Sequence, residues 1–135
     1  LHCIGVARAA LDETWAYANE RHTFGVPIGN HQGVSFPLAE SETLLEGARL
    51  LCLKTLWLKD RGLPHTSEAA MCKWWGPKLA TDILRTCLLT HGHGGYADGL
   101  PFEQRLRDVM GYEIGDGTAQ IMKLIIARGK LGRRV

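Results

Sequence analysis

The sequence predicts an all-α protein, an up-down four-helix bundle with a short extra helix. Three observations predict it. Leu is the commonest residue, with 19 copies in 135 positions. Apolar side chains make up 45% of the chain and charged ones 22%, a globular composition rather than a disordered one. Apolar residues also recur at three- and four-residue steps through four long segments, with no β-type alternation, internal repeat or low-complexity tract. The length fits a single domain, residues 1–135, with one core.

The first helix is predicted over Ile4–Glu20. Ile4, Leu11, Trp15 and Ala18 share one face, and Arg8, Asp12 and Glu13 lie off it. Phe24-Gly25-Val26-Pro27 ends it. The chain opens inside this helix at Leu1, with neither cap nor loop, which predicts a piece of something longer. The second helix is expected to start at Ser35 to Pro37 and reach Arg61. Ser35 is the capping candidate and Pro37 suits a first turn. Leu38, Leu45, Ala48, Cys52 and Leu56 form its buried stripe, and Gly62-Leu63-Pro64 stops it. Leu44, Leu51 and Leu58 lie beside that stripe and predict a second apolar face, hence an oligomer.

The third helix is expected from Thr66 or Ser67 to Leu89 or His91, with a kink at Pro77 or a break into two helices there. His91 to Gly99 is too rich in glycine for regular helix. A short helix over Glu103–Met110 follows. The last helix runs from Thr118, a capping candidate, to about Ala127. Ile121, Leu124 and Ile125 are its predicted buried stripe, and Gly129 its stop.

Charge and cysteine usage narrow the function classes. Sixteen basic residues stand against 14 acidic ones, a net charge of +2, which argues against a dedicated nucleic-acid binder. No apolar run approaches the ~20 residues of a membrane span. No basic-then-apolar leader opens the chain, so no signal peptide is expected. Cys3, Cys52, Cys72 and Cys87 form no CxxC pair and sit in apolar stretches, as reduced core cysteines of a cytoplasmic protein do. Only His91-x-His93 with Cys87 upstream suggests a metal, and the spacing is too poor to predict one.

A set of ordered motifs goes further. Gly5-Val6-Ala7-Arg8-Ala9-Ala10-Leu11-Asp12 opens it, followed by Tyr17-Ala18-x-x-Arg21-x-x-Phe24-Gly25, His31-Gln32 and Ala48-Arg49-Leu50. Ala69-Ala70-Met71-x-Lys73, Gly92 through Tyr96 and Arg107-Asp108 come next. Ile114-Gly115-Asp116-Gly117-Thr118-Ala119-Gln120-Ile121 and Ile126-Ala127-Arg128 close it. In order and spacing the chain resembles the C-terminal helical domain of the acyl-CoA dehydrogenase family, over nearly its whole length.

The resemblance implies several things. The fold is that family's C-terminal bundle, and its N-terminal helical and middle β domains are absent from these residues. The cofactor is FAD, shared with a neighbouring subunit's bundle, and the assembly is a homodimer or tetramer. The substrate is an acyl-CoA, and an electron-transferring flavoprotein is the expected acceptor.

It also implies roles, each with a plainer alternative. Arg21 is similar to the arginine that reaches the FAD pyrophosphate, though a cation is favourable at any helix C-terminus. Phe24 resembles a cofactor-contacting aromatic, and Gln32 a residue near the adenosine. Thr118 and Gln120 resemble FAD contacts at the last helix, and Thr118 also suits a plain cap. Asp116 stands at the catalytic carboxylate, where the family usually has glutamate. Its plainer role is a charge near a helix start. Glu113 is a second carboxylate, at a position that is not the usual base.

The glycine-rich segment departs from the family pattern. Leu89 replaces a glutamine and His93 a glycine, while Gly92 and Gly95 are kept. Gly92 and His93 remain the expected cofactor contacts. Arg107-Asp108 is read as a structural tie, and Arg128 as either a late catalytic-loop arginine or a helix-end cation. These departures leave room for an oligomerisation module without catalysis, or for an acyl-CoA oxidase-like relative.

Overall fold

A computed structural model describes residues 1–132. The helices are α1 (His2–Glu20), α2 (Gln32–Asp60), α3 (Thr66–His91), α4 (His93–Tyr96), α5 (Phe102–Ile114) and α6 (Ala119–Lys130). A two-residue hairpin, β1 (His22–Thr23) with β2 (Val26–Pro27), and a 3-10 turn over Ile28–Asn30 connect α1 to α2. The all-α bundle expected from periodicity is present, with α3 at its centre, packed by α1, α2, α5 and α6.

The core follows the 3.6-residue period. Ile4, Ala7, Leu11 and Ala18 of α1 meet Leu38, Leu45, Ala48 and Cys52 of α2, and Leu79, Ala80, Ile83, Leu84 and Cys87 of α3. Small residues let the backbones approach: a Cβ at Gly76 would lie 4.0 Å from Ile4 Cδ1. Thr14 is buried, and its hydroxyl donates to the Ala10 carbonyl at 2.7 Å, which leaves no polar group unpaired there.

Several expectations are corrected. The second helix starts at Gln32, before Ser35, and Ser35 does not cap it. The Ser35 hydroxyl instead donates to the His31 carbonyl at 3.3 Å. Pro37 lies within the helix; the carbonyl of Gly33, deprived of its usual donor, is on an exposed residue where water can serve it. The third helix runs unbroken through Pro77. His93–Tyr96 forms one helical turn in the segment expected to be irregular. The short helix extends a further turn, to Ile114.

The last helix differs most. It has no buried residue; Ile121 and Leu124 are exposed, and Met122, Ile125 and Ile126 are half-buried. Periodicity shows that a helix has an apolar face, not how much of that face its own chain covers. Gly129 does not stop this helix. It marks a close approach to α3, because a Cβ there would lie 3.0 Å from Ser67 Oγ. Leu56 of α2 is likewise exposed rather than buried, in a row with Leu53 and Trp57. Leu51 and Leu58 are half-buried, so the open apolar face of α2 is Leu50, Leu53 and Trp57, while the exposed Leu44 lies on another side of the helix.

Arg107 does not tie α5 to the bundle either. It reaches Glu103 within its own helix at 3.7 Å. The tie is Arg105, whose guanidinium donates to both carboxylate oxygens of Glu13 on α1, at 2.8 and 2.9 Å.

Candidate functional site

The predicted site residues fall into two clusters joined by α3. The first gathers where α1 and α3 end. Arg21 follows α1 with its backbone N–H on the Tyr17 carbonyl at 2.8 Å. Gly92 ends α3 with φ +63, a left-handed conformation that glycine adopts freely, and His93 begins α4. Arg21, Gly92 and His93 line one cleft of about 640 Å³ with Tyr17, Thr23 and Thr90. Among the described residues no carboxylate lines it. A guanidinium and open glycine backbone in a wall without acid suit an anionic group such as a diphosphate.

The sequence reading missed the residue that closes this cleft from below. His91 stacks on Tyr17 with ring centroids 4.2 Å apart and packs on Phe102 at 4.3 Å. Its Nε2 is buried with no hydrogen-bond partner among the described residues. Desolvation pushes its pKa below the ordinary 6.5, and the Glu13 carboxylate offsets only part of that. As pH falls through 6.5 the unfolded chain takes up a proton that the folded ring resists, so stability is lost towards acid. We expect a melting series between pH 8 and pH 5 to show this loss, and His91→Phe to flatten it.

Gly95 sets the height of α4 above α3. A Cβ there would stand 2.5 Å from the Leu88 carbonyl oxygen, closer than any side chain tolerates. Leu89, where the resemblance implies a glutamine, is exposed.

Phe24 and Gln32 sit beside this cluster but do not line the cleft. Phe24 is at the hairpin tip with φ +53, followed by Gly25 at φ +81. Its ring is 98% exposed and meets only the edge of His31, at 6.0 Å between centroids. An aromatic held out in this way has no role in the chain's own core. Gln32 is the first residue of α2 and exposed.

The second cluster is the turn between α5 and α6. Asp116 has φ +57 and Gly117 φ +109. The left-handed region costs most side chains ~1–2 kcal/mol, and aspartate is among the few that visit it. Asp116 is exposed; Thr118 precedes α6 and Gln120 lies in its first turn, both exposed. Thr118 stands at the cap position but its hydroxyl makes no capping bond. Glu113 is not free: the Thr81 hydroxyl donates to its Oε1 at 2.6 Å. Arg128 is half-buried in the last turn of α6.

An apolar cavity of about 470 Å³ is connected to this turn through Lys73, though no residue of 115–118 lines it. Ile4, Leu56, Pro77 and the cysteines 3, 52 and 72 line it, with Lys73 and Tyr112. Burial raises the Cys3 thiol. The adjacent Cys52 and burial hold the Cys72 thiol protonated, and the Thr55 hydroxyl lies 3.3 Å from its sulfur.

The two clusters are far apart. Lys73, beside the Asp116 turn, and His91, under the cleft, are 18 residues apart on α3. At 1.5 Å per residue that is ~27 Å.

Comparison with known proteins agrees with the bundle. The family described as the acyl-CoA dehydrogenase C-terminal domain matches residues 1–131. The probable acyl-CoA dehydrogenase YngJ of Bacillus subtilis is 42% identical over 125 residues, covering 93% of this chain and 33% of that protein. The mitochondrial short-chain specific acyl-CoA dehydrogenase of Rattus norvegicus is 40% identical over 124 residues, covering 92% of this chain and 30% of that protein. The structure of a glutaryl-coenzyme A dehydrogenase in complex with glutaryl-CoA superposes with a TM-score of 0.91 at 34% identity, over 98% of this chain and 34% of that one. The chain thus spans about a third of the length of the relatives it matches. Among the described residues no helix is long and apolar enough to cross a membrane.

Proposed function

This chain belongs to the acyl-CoA dehydrogenase family as its C-terminal helical domain, and from that premise we propose that it completes the site of an FAD-dependent α,β-dehydrogenation of an acyl-CoA thioester. The observation that supports the proposal is the Asp116 turn, which holds an exposed carboxylate in a left-handed conformation just before α6. Asp116 takes the α proton of the thioester. A positioned base of this kind contributes about 10²- to 10⁴-fold in rate. Aspartate is shorter than the family's usual glutamate by one carbon–carbon bond, ~1.5 Å, so the substrate's α carbon must come closer to the turn. Ile4, Leu56 and Pro77 offer apolar wall for an acyl chain.

Bound FAD would supply the acceptor for the hydride that leaves the β carbon. Arg21 pairs with its pyrophosphate, and backbone groups of Gly92 and His93 stand beside that arginine. Phe24 and Gln32 extend the same surface towards the adenosine end. Thr118 and Gln120, at the opening of α6, bring hydroxyl and amide groups and free backbone N–H groups to a second stretch of cofactor. The separation of ~27 Å along α3 between the two clusters favours their use on two different FAD molecules, one in each of two subunits. The exposed row Leu50, Leu53 and Trp57 on α2 gives such a homodimer or tetramer apolar surface to bury. A cytoplasmic location and electron transfer to a separate flavoprotein complete the reading.

In the full-length protein, anaerobic addition of an acyl-CoA is expected to bleach the visible flavin absorbance. The 135-residue chain alone is expected to carry no stoichiometric flavin and to turn nothing over. A full-length protein that binds FAD but never bleaches with any acyl-CoA would favour the catalytically silent oligomerisation module. Rapid reoxidation by oxygen after bleaching would indicate an oxidase.

A further inference from the structure

We propose that Lys73 is a positioning residue for the Asp116 base, acting by holding both sides of the turn that carries it. The inference rests on the reading of Asp116 as the base.

Lys73 projects from the second turn of α3. Its Nζ donates to the Tyr112 carbonyl at 2.7 Å and to the Gly117 carbonyl at 3.1 Å. The first acceptor belongs to the last turn of α5, where a cation satisfies a free carbonyl and meets the negative helix end. A simple cap would stop there. The second acceptor lies past the turn, one residue beyond Asp116. One ammonium therefore spans the segment from Tyr112 to Gly117 and closes it into a loop around Asp116.

Two further contacts make the grip tighter. Thr81, two helical turns along α3, donates to Glu113 Oε1 at 2.6 Å. On the other side, the Met122 methyl fills the space where a Gly117 side chain would be, 2.9 Å from an ideal Cβ. The turn is held by α3 at one side and packed by α6 at the other. This support is needed because Asp116 sits at φ +57, a conformation a free aspartate rarely keeps. A shorter base than the family's usual glutamate also depends more on where its backbone is held.

The test uses the full-length protein with Lys73→Met, Lys73→Gln, Lys73→Arg and Asp116→Asn, examined together. Lys73→Met keeps the alkyl stem and removes the donors. We expect amide hydrogen exchange over residues 112–119 to quicken roughly tenfold, with the rest of the bundle unchanged. We expect kcat to fall about 100-fold, as for a base misplaced by ~1 Å, with KM within threefold and flavin content intact. The isotope effect of an α-deuterated acyl-CoA on kcat should rise, since proton abstraction becomes slower. A role confined to stability would not move it.

Lys73→Gln, which has neither the reach nor the charge, carries the same expectation should Lys73→Met fail to fold. Lys73→Arg, whose fork can span two carbonyls, should recover at least tenfold of the loss. Unchanged exchange, or kcat within threefold of wild type in Lys73→Met while Asp116→Asn is inactive, overturns the inference and leaves the base reading standing. Turnover within threefold of wild type in Asp116→Asn overturns the base reading itself, and the inference with it.

Discussion

Asp116→Asn in the full-length protein is expected to lower turnover by about 10²- to 10⁴-fold, the contribution of a positioned general base, while FAD stays bound. The amide is nearly the same size as the carboxylate, so the turn should keep its shape. Asparagine also tolerates the left-handed region as well as aspartate does, which matters at φ +57. What is lost is the acceptor for the α proton. None of the assigned flavin contacts depends on the Asp116 charge, so the visible spectrum of the purified variant should match wild type. Steady-state turnover with an acyl-CoA and an artificial electron acceptor measures the first effect, and the spectrum the second.

Glu113 is not expected to take over in the variant. Its carboxylate is engaged by Thr81 at 2.6 Å, and freeing it means giving up a hydrogen bond to a charged group, ~1.5–3 kcal/mol. Asp116→Glu separates charge from length. It keeps the carboxylate and should retain turnover, so a dead Asp116→Asn beside a live Asp116→Glu identifies the charge as what matters. Full activity in Asp116→Asn would move the base elsewhere in the protein.

The fold was legible where one helix face alone decides the answer. The stripe Ile4, Leu11 and Ala18, and the α2 stripe from Leu38 to Cys52, are buried as their spacing predicts. The α6 stripe was misread, because the same spacing in Ile121 and Leu124 marks an apolar face without saying what covers it. The same holds for Leu56. The start of α2 was missed because Pro37 outweighed the five helical residues before it, whose freed carbonyl faces water at small cost.

The site was legible in part. The resemblance to the family pointed to the Asp116 turn and the Gly92 segment, and each holds a glycine at positive φ, Gly117 and Gly92. The partners of those turns were not legible. Lys73 reaches carbonyls 39 and 44 residues away, and Arg105 reaches Glu13 across 92. Backbone acceptors carry no residue signature, so no motif announces such a bond. His91 was considered only as a metal ligand, because the aromatic residues on its two faces come from distant segments, Tyr17 and Phe102.

Phe102 yields the largest expected change in stability. It opens α5, is 1% exposed, and is the largest fully buried side chain among the described residues. Its ring supports His91 at 4.3 Å between centroids, and His91 in turn stacks on Tyr17 at 4.2 Å. The Arg105 guanidinium lies 5.9 Å from its centroid and carries the ion pair to Glu13. Phe102→Ala therefore removes a core anchor and the support of the cleft together. Truncating a buried phenylalanine typically costs ~3–5 kcal/mol, the transfer term plus the cavity left behind. For a domain of this size each kcal/mol lowers the melting temperature by roughly 3–6 °C, so a fall of about 10–30 °C is expected.

Phe102→Leu refills most of the volume and should cost about 1.5 kcal/mol or less. The loss should also be local in its consequences for function. His91 would lose one of its two aromatic faces, and the wall shared by Arg21, Gly92 and His93 would loosen above it. FAD affinity in the full-length protein should fall in Phe102→Ala and stay near wild type in Phe102→Leu. Thermal melts of the two variants beside flavin titrations test both effects. A Phe102→Ala protein that melts within 3 °C of wild type would mean that the ring does not anchor the core as its burial implies.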